Sequence, residues 1–230
     1  MRAFFREKKG ISFLGFYIQG SSKHQTIIRR QNDTCDVDLG TYLATKPEIM
    51  PTTLFKNVAD LLTGQTIEGT EIRNKCVRVF YANKSHIDLP LYYHDKEQSK
   101  FFIAVGSNNS WEEDDPKLFT EWLKKETADS QKIRTIKYFK AWTDNYKTVH
   151  SRKMPTGLAL TIWVLGHFEG DARDDLAFIK TAHKLYLALA KQSLNDWECK
   201  MPTTPYDKCI RKLNEDHRKN FLIAVKELLV

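Results

Sequence analysis

Cysteine is scarce in this chain: Cys35, Cys76, Cys199 and Cys209 are the only four in 230 residues, and no two form a C-x-x-C pair. Their spacing fits neither zinc ligation nor a disulfide framework, which points to a reducing cytoplasm. The seven histidines include no H-x-x-x-H pair and have no partner cysteines, so none is assigned to a metal. Long apolar stretches are also missing. The longest, Gly157 to Phe168, falls short of the roughly 20 residues that span a bilayer, so no membrane partner is expected. The opening MRAFFREKKG is charged and lacks the apolar core of a signal peptide. No internal repeat, low-complexity tract or Gly/Ser linker is found, which excludes repeat architectures and tethered modules.

What is present is enough for a core. At 41% hydrophobic, the chain folds as one compact unit or as two lobes sharing a cleft. Its net charge of +7 suits an anionic ligand, and equally an ordinary mildly basic surface.

The informative stretch begins at Gly20-Ser21. Ile11 to Gln19 (ISFLGFYIQ) reads as an apolar strand, and Gly-Ser-Ser then opens a polar segment able to start a short helix at Ser21 or Ser22. Glycine allows close approach to a phosphate, and the free N–H groups of a helix start, with a serine hydroxyl, can hold triphosphate oxygens. Fifteen residues on, Asp36 and Asp38 lie on a strand in which Cys35, Val37, Leu39 and Thr41 alternate with Asp36, Asp38, Gly40 and Tyr42. One register faces a core and the other a cleft, although a solvated strand shows the same alternation. Residues two apart share a face, so the two carboxylates stand roughly 6.5 Å apart at their Cα atoms.

Asp88 adds a third carboxylate. Cys76 to Tyr81 and His86 to Tyr93 are β-branched and aromatic, and Asn83-Lys84-Ser85 between them reads as a hairpin turn. Asp88 then sits within a strand, where it either faces solvent or meets positive charge. Three carboxylates on one face repel one another, so such a cluster suits bound Mg2+, two ions in this reading, or Mn2+.

The second half of the chain reads as helical from about residue 116. Before it, Pro51 to Leu62 is a scaffold helix, Phe101 to Val105 a strand and Gly106 to Ser110 a loop. Asp115 caps a helix beginning at Pro116, and neither Asp114 nor Asp115 is taken as a metal ligand. Helical spacing recurs over Lys117 to Thr127, Gln131 to Lys147, Asp171 to Gln192 and Phe221 to Leu229. Met154 to Phe168 is apolar all round, so it is expected to be a buried central helix starting at Pro155. Lys132, Arg134, Lys137 and Lys140 form a basic face expected to line the cleft opposite the carboxylates.

Taken in order, Gln19-Gly20-Ser21, Cys35 to Leu43 (CDVDLGTYL), Ile87 to Tyr92 (IDLPLY), Tyr138 to Trp142 (YFKAW) and Met154 to Thr161 (MPTGLALT) resemble successive motifs of the bacterial CD-NTases. These are nucleotide second-messenger synthases related to animal cyclic GMP-AMP synthase and oligoadenylate synthase. The resemblance implies an α+β fold: a polymerase-β-like nucleotidyltransferase lobe with a mixed central sheet over residues 1–115, a helical lobe over 116–230, and an active site in the cleft between them. It implies that Lys140 contacts a nucleoside triphosphate and that Thr156, where the family has serine, binds the γ-phosphate. The implied activity is two-metal synthesis of a cyclic di- or oligonucleotide in anti-phage defence, read by a separate effector protein. A regulatory protein partner or a nucleic-acid activator stays open, as does a template-independent enzyme acting on RNA or protein, or a non-catalytic nucleotide-binding module. On the same resemblance the chain is expected to be a trimmed or unusually small member, since family members have a long first helix and continue past the equivalent of Val230.

Overall fold

The computed structural model describes residues 12–29, 36–82, 85–210 and 213–230, in two compact units. The first takes the described residues up to Gln25 and from Asp36 to Thr120; the second takes Thr26 to Arg29 and Glu121 to Val230. The basic N-terminal flank, Cys35 and the Asn83-Lys84 tip of the expected hairpin lie outside the described residues.

The first unit is built on β1 (Phe13–Gln19), β2 (Asp36–Leu43), β3 (Thr70–Ile72), β4 (Cys76–Phe80), β5 (His86–Asp95), β6 (Lys100–Val105) and β7 (Ser110–Glu113). Their order is β1-β2-β5-β4-β3, with β6 on the far half of β5 and β7 on β6. Among the described residues, only β2 and β5 run parallel. A parallel pair needs a crossover, supplied here by α2 (Pro51–Leu62) and the β3–β4 hairpin. Pro51 sits at the first turn of α2, where its missing N–H costs nothing. Leu54, Phe55 and Val58, at helical spacing, are fully buried against Leu43, Val77, Leu91 and Ala104 of the sheet. Each such side chain contributes about 1.5–3 kcal/mol.

The other face carries Tyr42, Tyr92, Ile103 and Val105, flanked by Tyr17 and Phe101. The Tyr42 and Tyr92 rings stack at 4.8 Å. The second half of β2, Gly40 to Leu43, is therefore buried on both faces, whereas the half bearing the aspartates stays partly open. One open face along the whole strand was the expectation; the central position of β2 in a two-sided sheet corrects it. Two strands were not expected. In β7 the acidic run hid a strand whose charges pair outward, Lys75 with Glu112 at 2.9 Å and Lys100 with Glu113 at 2.8 Å, while Trp111 packs edge-on to Tyr93. The other, β3, is a strand of three residues paired with β4.

α3 (Pro116–Glu126) starts in the first unit, where Asp115 Oδ1 accepts from the N–H groups of Lys117 and Leu118. The second unit contains α4 (Ser130–His150), α5 (Gly157–His167), α6 (Asp174–Ala190) and α7 (Glu215–Leu228) around Phe139, Leu160, Trp163, Leu185, Trp197 and Phe221. α5 begins at Gly157 instead of Pro155, because Thr156 takes the capping position and its hydroxyl accepts from the Ala159 N–H at 3.3 Å. Asp174, in the first turn of α6, ties that helix to α4 by accepting from Arg134 at 2.6 and 3.0 Å, Gln131 at 3.0 Å and Tyr138 at 3.0 Å. No helix among the described residues is long and apolar enough to cross a membrane.

Candidate active site

The antiparallel register of β1 and β2 sets Gln19 opposite Asp38, so the chain leaving β1 passes directly over that carboxylate. Gly20 opens the short helix α1 (Gly20–Lys23) at φ +65°, earlier than the Ser21 or Ser22 start that the sequence predicts. A Cβ at Gly20 would stand 1.9 Å from Asp38 Oδ2, so the position requires glycine for space as well as for backbone. Ser21 follows, half-buried, on the same turn.

Gln19 fixes this exit from below. It is buried, donates to the Tyr92 hydroxyl at 3.1 Å and accepts from the Tyr42 hydroxyl at 3.3 Å; the Tyr92 hydroxyl in turn donates to Asp114 at 3.0 Å. Gly40 makes room for this chain of hydrogen bonds, since a Cβ there would fall 2.5 Å from Gln19 Oε1. Asp114 is thus a structural acceptor.

The parallel register of β2 and β5 pairs Asp36 with His86 and Asp38 with Asp88. Asp36 and Asp38 share a face by the strand period, and Asp88 stands beside Asp38. Burial first, then the charges of Asp88 and Asp36, raise Asp38 to a pKa of about 6. Asp88 is held from the other side. Arg78, its partner across β4 and β5, donates Nε to Oδ1 at 2.7 Å and a second guanidinium nitrogen to Oδ2 at 2.8 Å. The Cys76 thiol, also beside Asp88, is pushed up to about 12, chiefly by burial. His86 Nε2 stands 2.9 Å from Asp36 Oδ1 but is poorly aligned for a hydrogen bond, so the contact is one of charge and dipole.

Among the described residues, no three metal-ligating side chains are gathered at ligand distances. The donor set nevertheless fits a divalent cation. Its groups offer oxygen alone, as hard cations prefer, and the like-charge crowding that raises Asp38 is what a cation relieves. Asp88 joins such a site only by sharing or releasing Arg78. Arg78, His86 and Cys76 were not singled out from sequence, although a hairpin turning about residue 83 already sets Arg78 opposite Asp88.

Lys140 and Thr156 belong to the second unit. Lys140 Nζ donates to the Thr26 hydroxyl at 2.9 Å and to its carbonyl at 3.2 Å, and burial lowers its pKa to about 8. Gly157 leaves room for that side chain: a Cβ there would stand 3.3 Å from Lys140 Cε. Thr156 is exposed and caps α5. The expected basic face of α4 is only partly available, since Arg134 turns onto Asp174 and Lys132 lies over the Phe168 ring at 5.7 Å.

The mixed sheet, with Gly-Ser after its edge strand, D-x-D on the next and a third Asp on the parallel neighbour, is that of the polymerase-β-like nucleotidyltransferases, and solved structures of that fold superpose on the chain. Vibrio cholerae DncV cyclic AMP-GMP synthase matches with a TM-score of 0.78 at 20% identity, over 96% of this chain and 63% of that one. The Bradyrhizobium diazoefficiens CD-NTase CdnG, solved in complex with GTP, matches at 0.79 and 13% identity, over 99% of this chain and 81% of that one. Residues 15–92 match the family described as "Cyclic GMP-AMP synthase DncV-like, nucleotidyltransferase domain". A curated relative, the cyclic GMP-AMP synthase of Escherichia albertii, is 28% identical over 182 residues, covering 73% of this chain and 40% of its own length. The chain is thus similar to the bacterial CD-NTases in fold, and over residues 15–92 to their nucleotidyltransferase domain. It spans less than two thirds of the length of the E. albertii and V. cholerae proteins.

Proposed function

We propose that the chain is a nucleotidyltransferase that joins nucleoside triphosphates into a cyclic di- or oligonucleotide, a second messenger in anti-phage defence read by a separate effector protein. The observation that carries this reading is the placing of Gly20 over Asp38, with Asp36 and Asp88 alongside, inside the segment that matches the DncV-like domain.

In this mechanism Gly20 lets the backbone approach the donor triphosphate, and the Ser21 hydroxyl donates to a phosphate oxygen. Asp36, Asp38 and Asp88 would hold two Mg2+ ions, or Mn2+, which when bound supply charge neutralisation along the triphosphate and acidify the acceptor hydroxyl. Asp88 accepts the proton of the acceptor's ribose hydroxyl as that oxygen bonds to the donor's α-phosphorus and pyrophosphate leaves. A second transfer with the roles exchanged closes the ring. Residues 1–115 are assigned the chemistry together with the Gly20-Ser21 part of nucleotide binding, and residues 116–230 the remainder of that binding. There Lys140 would exchange its Thr26 partners for phosphate oxygens, and the Thr156 hydroxyl, while still capping α5, would donate its proton to a γ-phosphate. Positioning of this kind is most of catalysis where protein groups form no covalent bond to substrate.

Incubation with the four nucleoside triphosphates, Mg2+ or Mn2+ and no polymer should yield a phosphatase-resistant cyclic product, and Asp36→Asn/Asp38→Asn should yield none. Incorporation of labelled nucleotide only when an RNA or protein acceptor is added would overturn the reading.

A further inference from the structure

Cys209 follows Cys199 by ten positions, a spacing that by itself implies no pairing. The fold brings the two together. Lys200 and Lys208 form an antiparallel bridge, the Cys209 N–H donates to the Cys199 carbonyl at 2.7 Å, and the Met201 N–H donates to the Asp207 carbonyl at 2.8 Å. Residues 199 and 209 thus face each other across a narrow hairpin, and no disulfide joins them. Directly opposed residues of such a pair have Cα atoms roughly 4.5–5.5 Å apart, inside the range of about 4.4–6.8 Å that a disulfide spans. The side chains also turn toward each other, within hydrogen-bonding reach.

The two thiols differ in access. Cys199 is 3% exposed, packed in the core of the second unit with its sulfur 3.9 Å from the Ala159 carbonyl. Cys209 is half-buried at the edge of the same cluster. An oxidant therefore meets Cys209 first, and Cys199 is positioned behind it as the resolving thiol. The contact of Cys199 with Ala159 ties the hairpin to the first turn of α5, which Thr156 caps.

We propose that Cys199 and Cys209 form a reversible, oxidant-responsive dithiol whose disulfide locks the 199–209 hairpin. With hydrogen peroxide as the oxidant, the Cys209 thiolate attacks one peroxide oxygen, the O–O bond breaks, and a sulfenic acid forms with loss of one water. The Cys199 sulfur, losing its proton, attacks the sulfenic sulfur, the S–O bond breaks, and a second water carries the oxygen away. Two thiols are oxidised and one peroxide is reduced. A dithiol reductant reverses the step by thiol–disulfide exchange.

The test is peptide mapping of the full chain, folded, treated with hydrogen peroxide, then blocked with N-ethylmaleimide and digested without reductant. The expected result is a peptide pair cross-linked through Cys199 and Cys209, released by dithiothreitol, with a thermal midpoint roughly 2–4 °C or more higher in the oxidised protein. Cys209→Ser should show no cross-link, and its Cys199 should oxidise more slowly than Cys209 does in the wild type. Recovery of Cys199 and Cys209 as alkylated thiols at peroxide doses that consume Cys76, or of Cys209 as a sulfinic acid without a cross-link, overturns the proposal. The wild-type map decides the matter by itself if Cys209→Ser does not fold.

Discussion

Gly20 leaves to Asp38 a volume that a side chain at position 20 would fill: the missing Cβ of Gly20 would stand 1.9 Å from Asp38 Oδ2. Gly20 also holds φ +65°, a conformation that side chains with a Cβ avoid. The turn that would receive a triphosphate and the carboxylate that would hold its metal are therefore positioned by one contact.

Gly20→Ala should move the Asp38 carboxylate aside and strain the turn. The backbone penalty is about 1–2 kcal/mol, and displacement of a reacting group by about 1 Å lowers turnover roughly 100-fold. Gly64→Ala is the control. It holds φ +80° with nothing within 4 Å of its Cβ position, so it should lose stability and keep product formation. Thermal melts and product assays on the two variants separate strain from displacement; equal activity in both would dismiss the Gly20–Asp38 contact.

Asp38 makes stability depend on pH in an unusual direction. Its pKa in the folded protein is about 6, above the ordinary 3.8, so between those values the native state binds more protons than the unfolded chain. The stabilising contribution of protonated Asp38 is complete below about pH 4 and is lost as pH rises through about 6. With chelator present, Asp38→Asn should remove this loss, gaining on the order of 1–3 kcal/mol over wild type at neutral pH. Urea midpoints across the acid range would show it. Under saturating Mg2+ or Mn2+ the order should invert, because the ion stabilises the native carboxylates alone.

Much of this arrangement was legible from residues because it is local. The strand period placed Asp36 beside Asp38, and Pro51 with the Leu54, Val58 and Leu61 spacing bounded α2 correctly. What escaped depends on contacts between distant segments. Strand β7 is held by Lys75 and Lys100 from elsewhere in the chain, Thr26 meets Lys140 across more than a hundred residues, and Cys199 meets Cys209 through a hairpin that proline and polar residues disguised as a loop. Burial of Gly40 to Leu43 on both faces follows from the rank of β2 in the sheet, which no single strand reveals.

Arg78 and Asp88 give a test of the third carboxylate. Both side chains are mostly buried, 22% and 16% exposed, and Arg78 occupies both oxygens of Asp88. Arg78→Gln leaves a half-buried carboxylate short of its donors, at a cost of about 1–3 kcal/mol. In the variant, Asp88 is freed for a cation. Saturating Mn2+ should therefore restore more stability to Arg78→Gln than it adds to wild type. Chemical denaturation with chelator and with Mn2+ reads this without any turnover, and equal gains in both proteins would remove Asp88 from the set of metal ligands.

Lys140 supplies a stability signature in the alkaline range. Burial lowers its pKa from 10.5 to about 8, so between those values the unfolded chain binds more protons than the native state and stability rises with pH. Lys140→Met preserves the apolar stem but removes the donor to Thr26, so the segment from Thr26 to Arg29 should lose its tie to α4. Two readouts follow. Between about pH 8 and about pH 10 the wild type should gain up to about 3 kcal/mol relative to Lys140→Met, the other lysines and tyrosines cancelling in the difference. Hydrogen exchange should quicken at residues 26–29 in the variant while the interior of α5 stays protected. If the two proteins run parallel with pH and the segment exchanges alike, Lys140 is not buried as a charge at Thr26 and is free to serve phosphate alone.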